Sequence, residues 1–102
     1  MPRVVRLTAE AQGDLTSIHR WQTQSGSGVA AVRRLRAIGA AIRRLQRTPC
    51  LYARGEVPGT RELPVEGHRI VYEVHPDTGN NVTAGDVTVL RVFGPGQSRH
   101  SL

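Results

Sequence analysis

Three arginines lie on predicted β-strands, at positions where a simple hydrophobic core would prefer valines. Arg61 and Arg69 flank a Pro-Val-Glu-Gly break in the segment TRELPVEGHRIVYEV, and Arg91 lies on a later apolar run. A guanidinium stays ionised and offers a planar fork to phosphate or carboxylate oxygens, but it transfers protons poorly. If strand alternation places two of these side chains on one face of the sheet, they form a cationic patch that binds anions.

Proton transfer would fall to other side chains. The candidates are His68, His75, His100, Tyr72 and Glu62. The histidines do not share a metal-ligand spacing, so we expect no zinc site. The Gly-Pro-Gly of the C-terminal tail precedes no helical pattern, so it does not predict a phosphate loop. We therefore expect neither a metal nor a cofactor.

Three β-rich runs carry the arginines. These runs are Arg61–Val65, His68–His75 and Val87–Phe93. Glu66-Gly67 predicts a tight reversal, and residues 76–86, rich in Asp, Asn, Thr and Gly, predict a longer one. The runs indicate a consecutive antiparallel meander. The apolar run Val4–Leu7 predicts a first strand at one edge, which makes a three- to four-stranded antiparallel sheet.

Two amphipathic helices come before the meander. The first begins after a Thr8 cap and ends near Gln24, before a Ser-Gly-Ser-Gly break. Its apolar residues, at spacings of four and three, are Ala11, Leu15 and Ile18. The second spans about residues 29–47, and its apolar stripe consists of Val32, Leu35, Ile38, Ile42 and Leu45. The short break predicts an antiparallel helical hairpin packed on one face of the sheet, an α+β fold.

Four arginines lie opposite the apolar stripe of the second helix. At about 100° per residue, this side collects Arg33, Arg36, Arg43 and Arg47. Such a face is either solvated or a contact for an acidic partner. Trp21, near the end of the first helix, is either a packing residue or part of an exposed groove that binds a partner protein.

The composition predicts a single domain with anionic partners. The chain has 102 residues and a net charge of +6, and its fourteen basic residues are all arginine. The lack of lysine excludes a lysine Schiff base, a lysine general base and a Walker-type phosphate loop. Polyanions or acidic proteins are the expected partners of a positive chain. We expect one domain over residues 1–94 and a mobile tail over residues 95–102.

The single cysteine and the N-terminal residues bear on the compartment. Cys50 cannot form a disulfide within the chain, and a reducing cytosol suits such a residue. The first residues lack the apolar run of a signal peptide, and no stretch approaches transmembrane length. The sequence therefore predicts a cytoplasmic protein that makes no use of a membrane.

The ordered set of these patterns resembles the RelE/ParE superfamily of bacterial toxins, and looks most like its ParE branch. The first helix is matched by Ala11-x-x-Asp14-Leu15-x-x-Ile18, and the second by residues 30–49. The central hairpin is matched by Thr60-Arg61-Glu62-Leu63 and Arg69-Ile70-Val71-Tyr72-x-Val74, and the last strand by Val87-x-Val89-Leu90-Arg91-Val92. Together the motifs cover roughly residues 4–94.

The resemblance implies the toxin of a two-gene toxin–antitoxin module. ParE-type toxins poison DNA gyrase, and RelE-type toxins cleave mRNA in the ribosome. In either branch, a cognate antitoxin with an acidic, initially disordered segment wraps the toxin and silences it in a hetero-oligomer. Operator DNA is then expected to be contacted only through the antitoxin.

The first hypothesis is a gyrase inhibitor that acts by binding and is not itself an enzyme. The lysines of many RelE-type sites have no counterpart here, and Gly94-Pro95-Gly96-Gln97 replaces the C-terminal basic-aromatic cluster of that branch. The alternative is a ribosome-dependent mRNA endonuclease, in which the phosphate ligands and the proton donor would be Arg69, Arg61 or Arg91 and His100. A third is an inactive or purely regulatory member.

The candidate contacts for the target or the antitoxin combine the strand and helix residues. They are Arg61, Arg69, Arg91, Trp21, Arg33, Arg36, Arg43 and Arg47. The structural alternative for Arg61 and Arg69 is pairing with a nearby carboxylate of Glu62, Glu66 or Glu73. A strand arginine within the run Ile70-Val71-Tyr72 needs some such partner to offset the desolvation of its charge.

Overall fold

A computed structural model describes residues 3–22, 28–95 and 97. The elements are β1 (Val5–Leu7), α1 (Ala9–Gln22), α2 (Gly28–Arg44), β2 (Arg61–Val65), β3 (His68–His75) and β4 (Asp86–Phe93). The predicted α+β architecture, with a first strand, two helices and a meander, is confirmed. Three predictions concern residues outside the described ranges. They are the end of α1 near Gln24, the role of His100, and the mobility of most of the C-terminal tail.

The four strands form one sheet in the order β1-β4-β3-β2. The β2–β3 and β3–β4 pairs are antiparallel, as the meander predicts. β1 joins the predicted edge but runs parallel to β4, so the sheet is mixed and not purely antiparallel. Apolar alternation specifies which face of a strand is buried and does not specify its direction, so the sequence pattern could not show this.

A β-bulge interrupts the β3–β4 ladder. Val71 is opposite Arg91 and Tyr72 is opposite Val89, which leaves Leu90 as an extra residue on β4. A bulge bends its strand and re-aims the side chains around it. The consequence is that the end of β4 turns Arg91 toward α1.

One face of the sheet packs on the helices and forms the core. The side chains that meet there, all nearly inaccessible to solvent, include Ile38, Ala41, Leu45, Leu63, Ile70, Tyr72, Val74, Val87, Val89 and Val92. The predicted stripe of α2 is confirmed at Ile38, Ile42 and Leu45. The prediction that Val32 belongs to the buried stripe is wrong, because Val32 is 45% exposed and the adjacent Ala31 is buried. A shift of one residue rotates a helical side chain by about 100°.

Thr8 ties the start of α1 to the sheet. Its Oγ1 accepts a hydrogen bond from Ala11 N at 3.0 Å, which confirms the predicted cap. The same hydroxyl donates to Leu90 O at 2.8 Å, and Thr8 N donates to Val89 O at 3.0 Å. The entry of α1 is therefore fixed against β4 directly after β1 ends. Among the described helices, none has the length and apolar character to cross a membrane.

Candidate functional site: the arginines of the sheet and of α2

The strand register divides the sheet arginines between two faces. Directly opposed residues of an antiparallel pair share a face. Arg61 is opposite the core residue Tyr72, so it lies on the helix-covered face. Arg69 is opposite Pro64 on one side and Phe93 on the other, and it alternates with core residues. The face formed by Pro64, Arg69 and Phe93, away from the helices, is the outer face. Arg91 is opposite Val71, two residues after Arg69 on β3, so it shares the outer face with Arg69, whereas Arg61 does not.

Arg61 is neutralised inside the protein by Asp77. The two side chains are only 8% and 13% exposed. Arg61 Nε donates to Asp77 Oδ2 at 2.8 Å and Nη2 donates to Oδ1 at 3.0 Å, a bidentate pair. Arg61 Nη1 donates to the carbonyl oxygens of Tyr52 at 2.6 Å and Cys50 at 3.4 Å. These contacts support the structural alternative for Arg61, with a partner other than the three glutamates that the sequence suggested.

Asp77 is the centre of this buried network. The hydrogen bond from Arg61 lowers the pKa of its carboxyl to about 2, against the opposing effect of burial. Gly79 N donates to Asp77 Oδ1 at 3.1 Å, and Arg54 Nη1 lies 3.1 Å from Oδ2. The same pairing raises the pKa of Arg61. Asp77 therefore joins β2, the β3–β4 loop and the segment before β2, and it is charged at neutral pH.

Arg91 clamps α1 to the end of β4. Its Nε and Nη2 donate to the carboxylate of Asp14 at 2.7 and 3.0 Å, and Val92 N donates to Asp14 Oδ2 at 2.9 Å. The guanidinium also lies 4.8 Å from the centroid of the Phe93 ring, in cation–π geometry. The hydrogen bond with Asp14 raises the pKa of Arg91. Arg91 is thus neutralised by Asp14, and the Phe93 ring that it contacts lies on the outer face of the sheet.

Arg69 alone, of the three predicted strand arginines, is exposed. Within the described part of the chain, its side chain has no hydrogen-bond or ion-pair partner. Its neighbours across the strands are Pro64 and Phe93, and its neighbours along the strand on the same face are Gly67 and Val71. None of these four can neutralise a guanidinium, so Arg69 is available to an external anion.

One candidate proton-transfer group, His68, lines a groove with Arg69 and Glu66. Tyr72 is buried and its hydroxyl donates to Pro49 O at 2.6 Å, and burial raises its pKa further above the usual value. The His68 ring is buried, with Nδ1 2.7 Å from Glu66 O. His75 Nε2 lies 3.1 Å from Glu73 Oε1, two residues along the strand. Glu62 Oε2 accepts from Glu56 N at 3.4 Å. His100 lies outside the described residues.

The four predicted arginines of α2 and its C-terminal turn are exposed. These residues, Arg33, Arg36, Arg43 and Arg47, are named the α2 ridge. Within the described residues, none of the four guanidinium groups has a hydrogen-bond or ion-pair partner. The ridge therefore differs from the paired arginines of the sheet in both exposure and neutralisation.

An apolar tip lies on either side of the connection between the helices. Trp21 is 70% exposed at the end of α1, and Val29 and Val32 are 85% and 45% exposed at the start of α2. Exposed apolar side chains of this size are uncommon on the surface of a small domain. The packing alternative for Trp21 is wrong, because most of its ring faces solvent.

Arg3 was missed as a structural residue by sequence reasoning. Its Nε donates to Gly85 O at 2.8 Å, and Nη2 donates to Asn81 O at 2.6 Å and Ala84 O at 2.8 Å. Nη1 donates to Gln46 O, next to the end of α2. A single N-terminal arginine beside an apolar run carries no signal for such long-range contacts. Among the described residues, no group of three His, Cys, Asp or Glu side chains is placed to hold a metal ion.

The fold is similar to that of chains in two solved toxin–antitoxin structures. A chain of the structure titled "Chromosomal ParDE TA system from P. aeruginosa" has a TM-score of 0.70 and 21% identity, over 91% of this chain and 96% of that one. A chain of the toxin–antitoxin complex RelBE2 from Mycobacterium tuberculosis has a TM-score of 0.56 and 24% identity, over 95% of each chain. At these identities the likeness establishes the fold.

The family is established by the sequence itself. The family described as "ParE toxin of type II toxin-antitoxin system, parDE" matches residues 5–94. The chain therefore belongs to the ParE toxin family, within the RelE/ParE superfamily. No curated protein matches the chain significantly. The predicted resemblance is thus confirmed, over nearly the same residues as the motifs that carried it.

Proposed function

We propose that this type II toxin inhibits DNA gyrase by binding to it, and is not itself an enzyme. The observation that carries this function is the surroundings of Arg69 on the outer face. Arg69 is exposed, and its neighbours Pro64, Gly67, Val71 and Phe93 cannot accept or donate a proton. His68 lines a groove with Arg69, but its ring is buried and its Nδ1 lies 2.7 Å from Glu66 O. Backbone cleavage of RNA needs general acid–base groups within hydrogen-bond reach of the reacting atoms. A surface with one exposed, unpaired cation suits binding better than catalysis.

A cognate antitoxin with an acidic segment is the proposed partner that silences the toxin. The ParDE and RelBE2 structures are toxin–antitoxin complexes, which supports such a partner for this chain. The apolar tip of Trp21, Val29 and Val32 suits the apolar face of a partner helix. An acidic extended segment would then neutralise Arg69 on the outer face. The complex is a hetero-oligomer, located in the cytoplasm, whose antitoxin recognises the operator.

A supercoiling assay tests the gyrase function directly. The complete purified chain is added to gyrase, ATP and relaxed plasmid, and the products are resolved after denaturation of the protein. We expect loss of supercoiling and accumulation of linear plasmid, because a trapped enzyme leaves its DNA cleaved. Normal supercoiling at saturating toxin would contradict the proposal.

A matched pair of variants tests the outer face. Arg69→Gln should relieve gyrase inhibition, whereas Arg6→Gln should not. Both residues are exposed strand arginines, so the pair removes the same charge at two places. Equal relief by both variants would show that net charge matters and that Arg69 has no particular role.

The apolar tip is tested by antitoxin affinity. Trp21→Ala should weaken binding to an antitoxin encoded beside the toxin gene by about 30-fold, since buried tryptophans are often worth about 2 kcal/mol at interfaces. The exposed Val82, which is 88% exposed on the β3–β4 loop, provides the control variant Val82→Ala. Calorimetric titration measures both. An unchanged Kd for Trp21→Ala would remove the tip from the interface.

A ribosome-dependent mRNA endonuclease is the second candidate, and the uncompensated charge of Arg69 is the observation that favours it. Arg69 would stabilise phosphate, and His100 would transfer the proton. Incubation of the toxin with translating ribosomes and a defined mRNA tests this function. Truncated mRNA that disappears with both Arg69→Gln and His100→Gln would establish the nuclease and displace gyrase as the target.

A further inference from the structure

The α2 ridge presents a linear array of unpaired cations. Arg33, Arg36 and Arg43 project from the side of α2 opposite its buried stripe, and Arg47 continues the array on the following turn. At about 1.5 Å per residue, the helical part from Arg33 to Arg43 is about 15 Å long. The backbone of this array is fixed, because Ile38, Ala41 and Leu45 on the opposite side are buried in the core.

The surroundings of the ridge are as one-sided in charge as the ridge itself. The 41 residues between Asp14 and Glu56 contain no acidic residue and include eight of the fourteen arginines. One carboxylate, Asp86, lines a shallow groove with Arg3 and Arg47. That carboxylate accepts a hydrogen bond from Val4 N at 3.0 Å. The charge of α2 is thus not balanced by acidic side chains of its own helix.

The small size of the side chains within the ridge bears on the identity of its partner. Between Arg36 and Arg47, the same side of the helix offers Gly39 and Ala40, and a Cβ at Gly39 would lie 3.4 Å from Arg43 Nη1. Protein interfaces derive most of their affinity from buried aromatic and large apolar anchors. Phosphate-backbone binding needs only cations at suitable positions, and arginine is well suited to phosphate. The exposed tryptophan, Trp21, lies instead at the apolar tip, and one large apolar side chain, Val4, lines a groove with the ridge residue Arg43.

We propose that the α2 ridge binds the phosphate backbone of duplex DNA directly and without sequence preference. The four ridge arginines allow up to four phosphate contacts with a duplex that carries one charge per about 1.7 Å of its axis. Such contacts carry no base information, so selection of an operator sequence still falls to the antitoxin. The ridge adds a second, toxin-borne DNA contact to the one expected through the antitoxin. This inference is independent of whether gyrase or the ribosome is the target.

Fluorescence anisotropy with a labelled 20-base-pair duplex of arbitrary sequence tests this contact in the complete chain alone. Four phosphate contacts predict that raising salt from 50 to 200 mM weakens binding about 150-fold. The variant with Arg36→Gln, Arg43→Gln and Arg47→Gln retains one ridge arginine. For that variant the same salt change should weaken binding only about 3-fold. Far-UV circular dichroism confirms that both proteins are folded.

The matched control removes three exposed arginines elsewhere, with Arg6→Gln, Arg20→Gln and Arg54→Gln. Its salt dependence should stay near that of the unmodified chain. Three outcomes would overturn the proposal: salt-insensitive or undetectable binding at 50 mM, an equal reduction of the salt dependence in the control, and displacement of the duplex by poly-glutamate as effectively as by unlabelled DNA. The last outcome would assign the ridge to an acidic protein segment.

Discussion

The paired arginines of the sheet and the unpaired arginines of α2 have the same side chain and opposite roles. Arg61 and Arg91 each form a bidentate pair with an aspartate that is distant in sequence, Asp77 or Asp14. The α2 ridge has no such partner among the described residues. The cost of desolvating a charge explains the difference, because a buried guanidinium requires a carboxylate and a solvated one does not.

This comparison shows that arginine content alone is a poor guide to a binding surface. The sheet arginines stand out in the sequence because they interrupt apolar strands, yet two of the three are structural. The ridge arginines look like an ordinary solvated helix face, yet they carry most of the uncompensated charge. The arginines available to an anion are those that have no carboxylate partner, and only the tertiary contacts show which these are.

The largest expected effect concerns the buried pair. Arg61→Met should lower the free energy of unfolding by about 3–5 kcal/mol, because it leaves Asp77 charged and buried and removes donors from two carbonyl oxygens. Urea denaturation measures the change. Arg36→Gln is the control, with an expected change within about 0.5 kcal/mol. A small loss for Arg61→Met would show that the network relaxes around the missing group.

A smaller loss is expected at the α1–β4 clamp. Asp14→Ala removes the acceptor of Arg91 and of Val92 N, in a pair whose side chains are 22% and 15% exposed. Hydrogen bonds to a charged group are typically worth about 1.5–3 kcal/mol, so we expect a loss in that range. Thermal unfolding is a suitable measurement. A loss larger than that of Arg61→Met would show that the more buried ion pair is not the one that contributes more to stability.

Acid should weaken the sheet network in a defined window. The pKa of Asp77 is about 2 in the folded protein and 3.8 ordinarily, so its contribution is present above about pH 4 and is lost as pH falls toward 2. The shift corresponds to about 2 kcal/mol. Titration of the Asp77 carboxyl by NMR should give a midpoint near 2. A midpoint near 4 would mean that Arg61 does not stabilise the charged form.

The smallest expected effect has the opposite sign. Arg33 and Arg36 are three residues apart on α2, and like charges at this spacing destabilise a helix by about 0.2–0.5 kcal/mol. Arg36→Gln should therefore stabilise the protein slightly at low salt, and the gain should disappear at high salt. A loss of stability would reveal a partner for Arg36 and would remove the distinction between the ridge and the sheet.

The sequence by itself determined the elements and the family. The bounds of β2 and β3 were predicted from β-rich runs between turn residues, and the predicted bounds are identical to those in the structure. The Thr8 cap and most of the α2 stripe follow from local rules that depend on neighbours in sequence. The ordered motifs, from Ala11 to Val92, were enough to indicate the ParE toxin family.

Only the tertiary structure decided which arginines are available. The partners of Arg61 and Arg91 lie 16 residues after one and 77 residues before the other, so no local pattern reveals them. The parallel pairing of β1 with β4 and the bulge at Leu90 likewise depend on contacts between strands that are distant in sequence. Burial and ion pairing are properties of contacts in space, whereas periodicity reports only the faces of single elements.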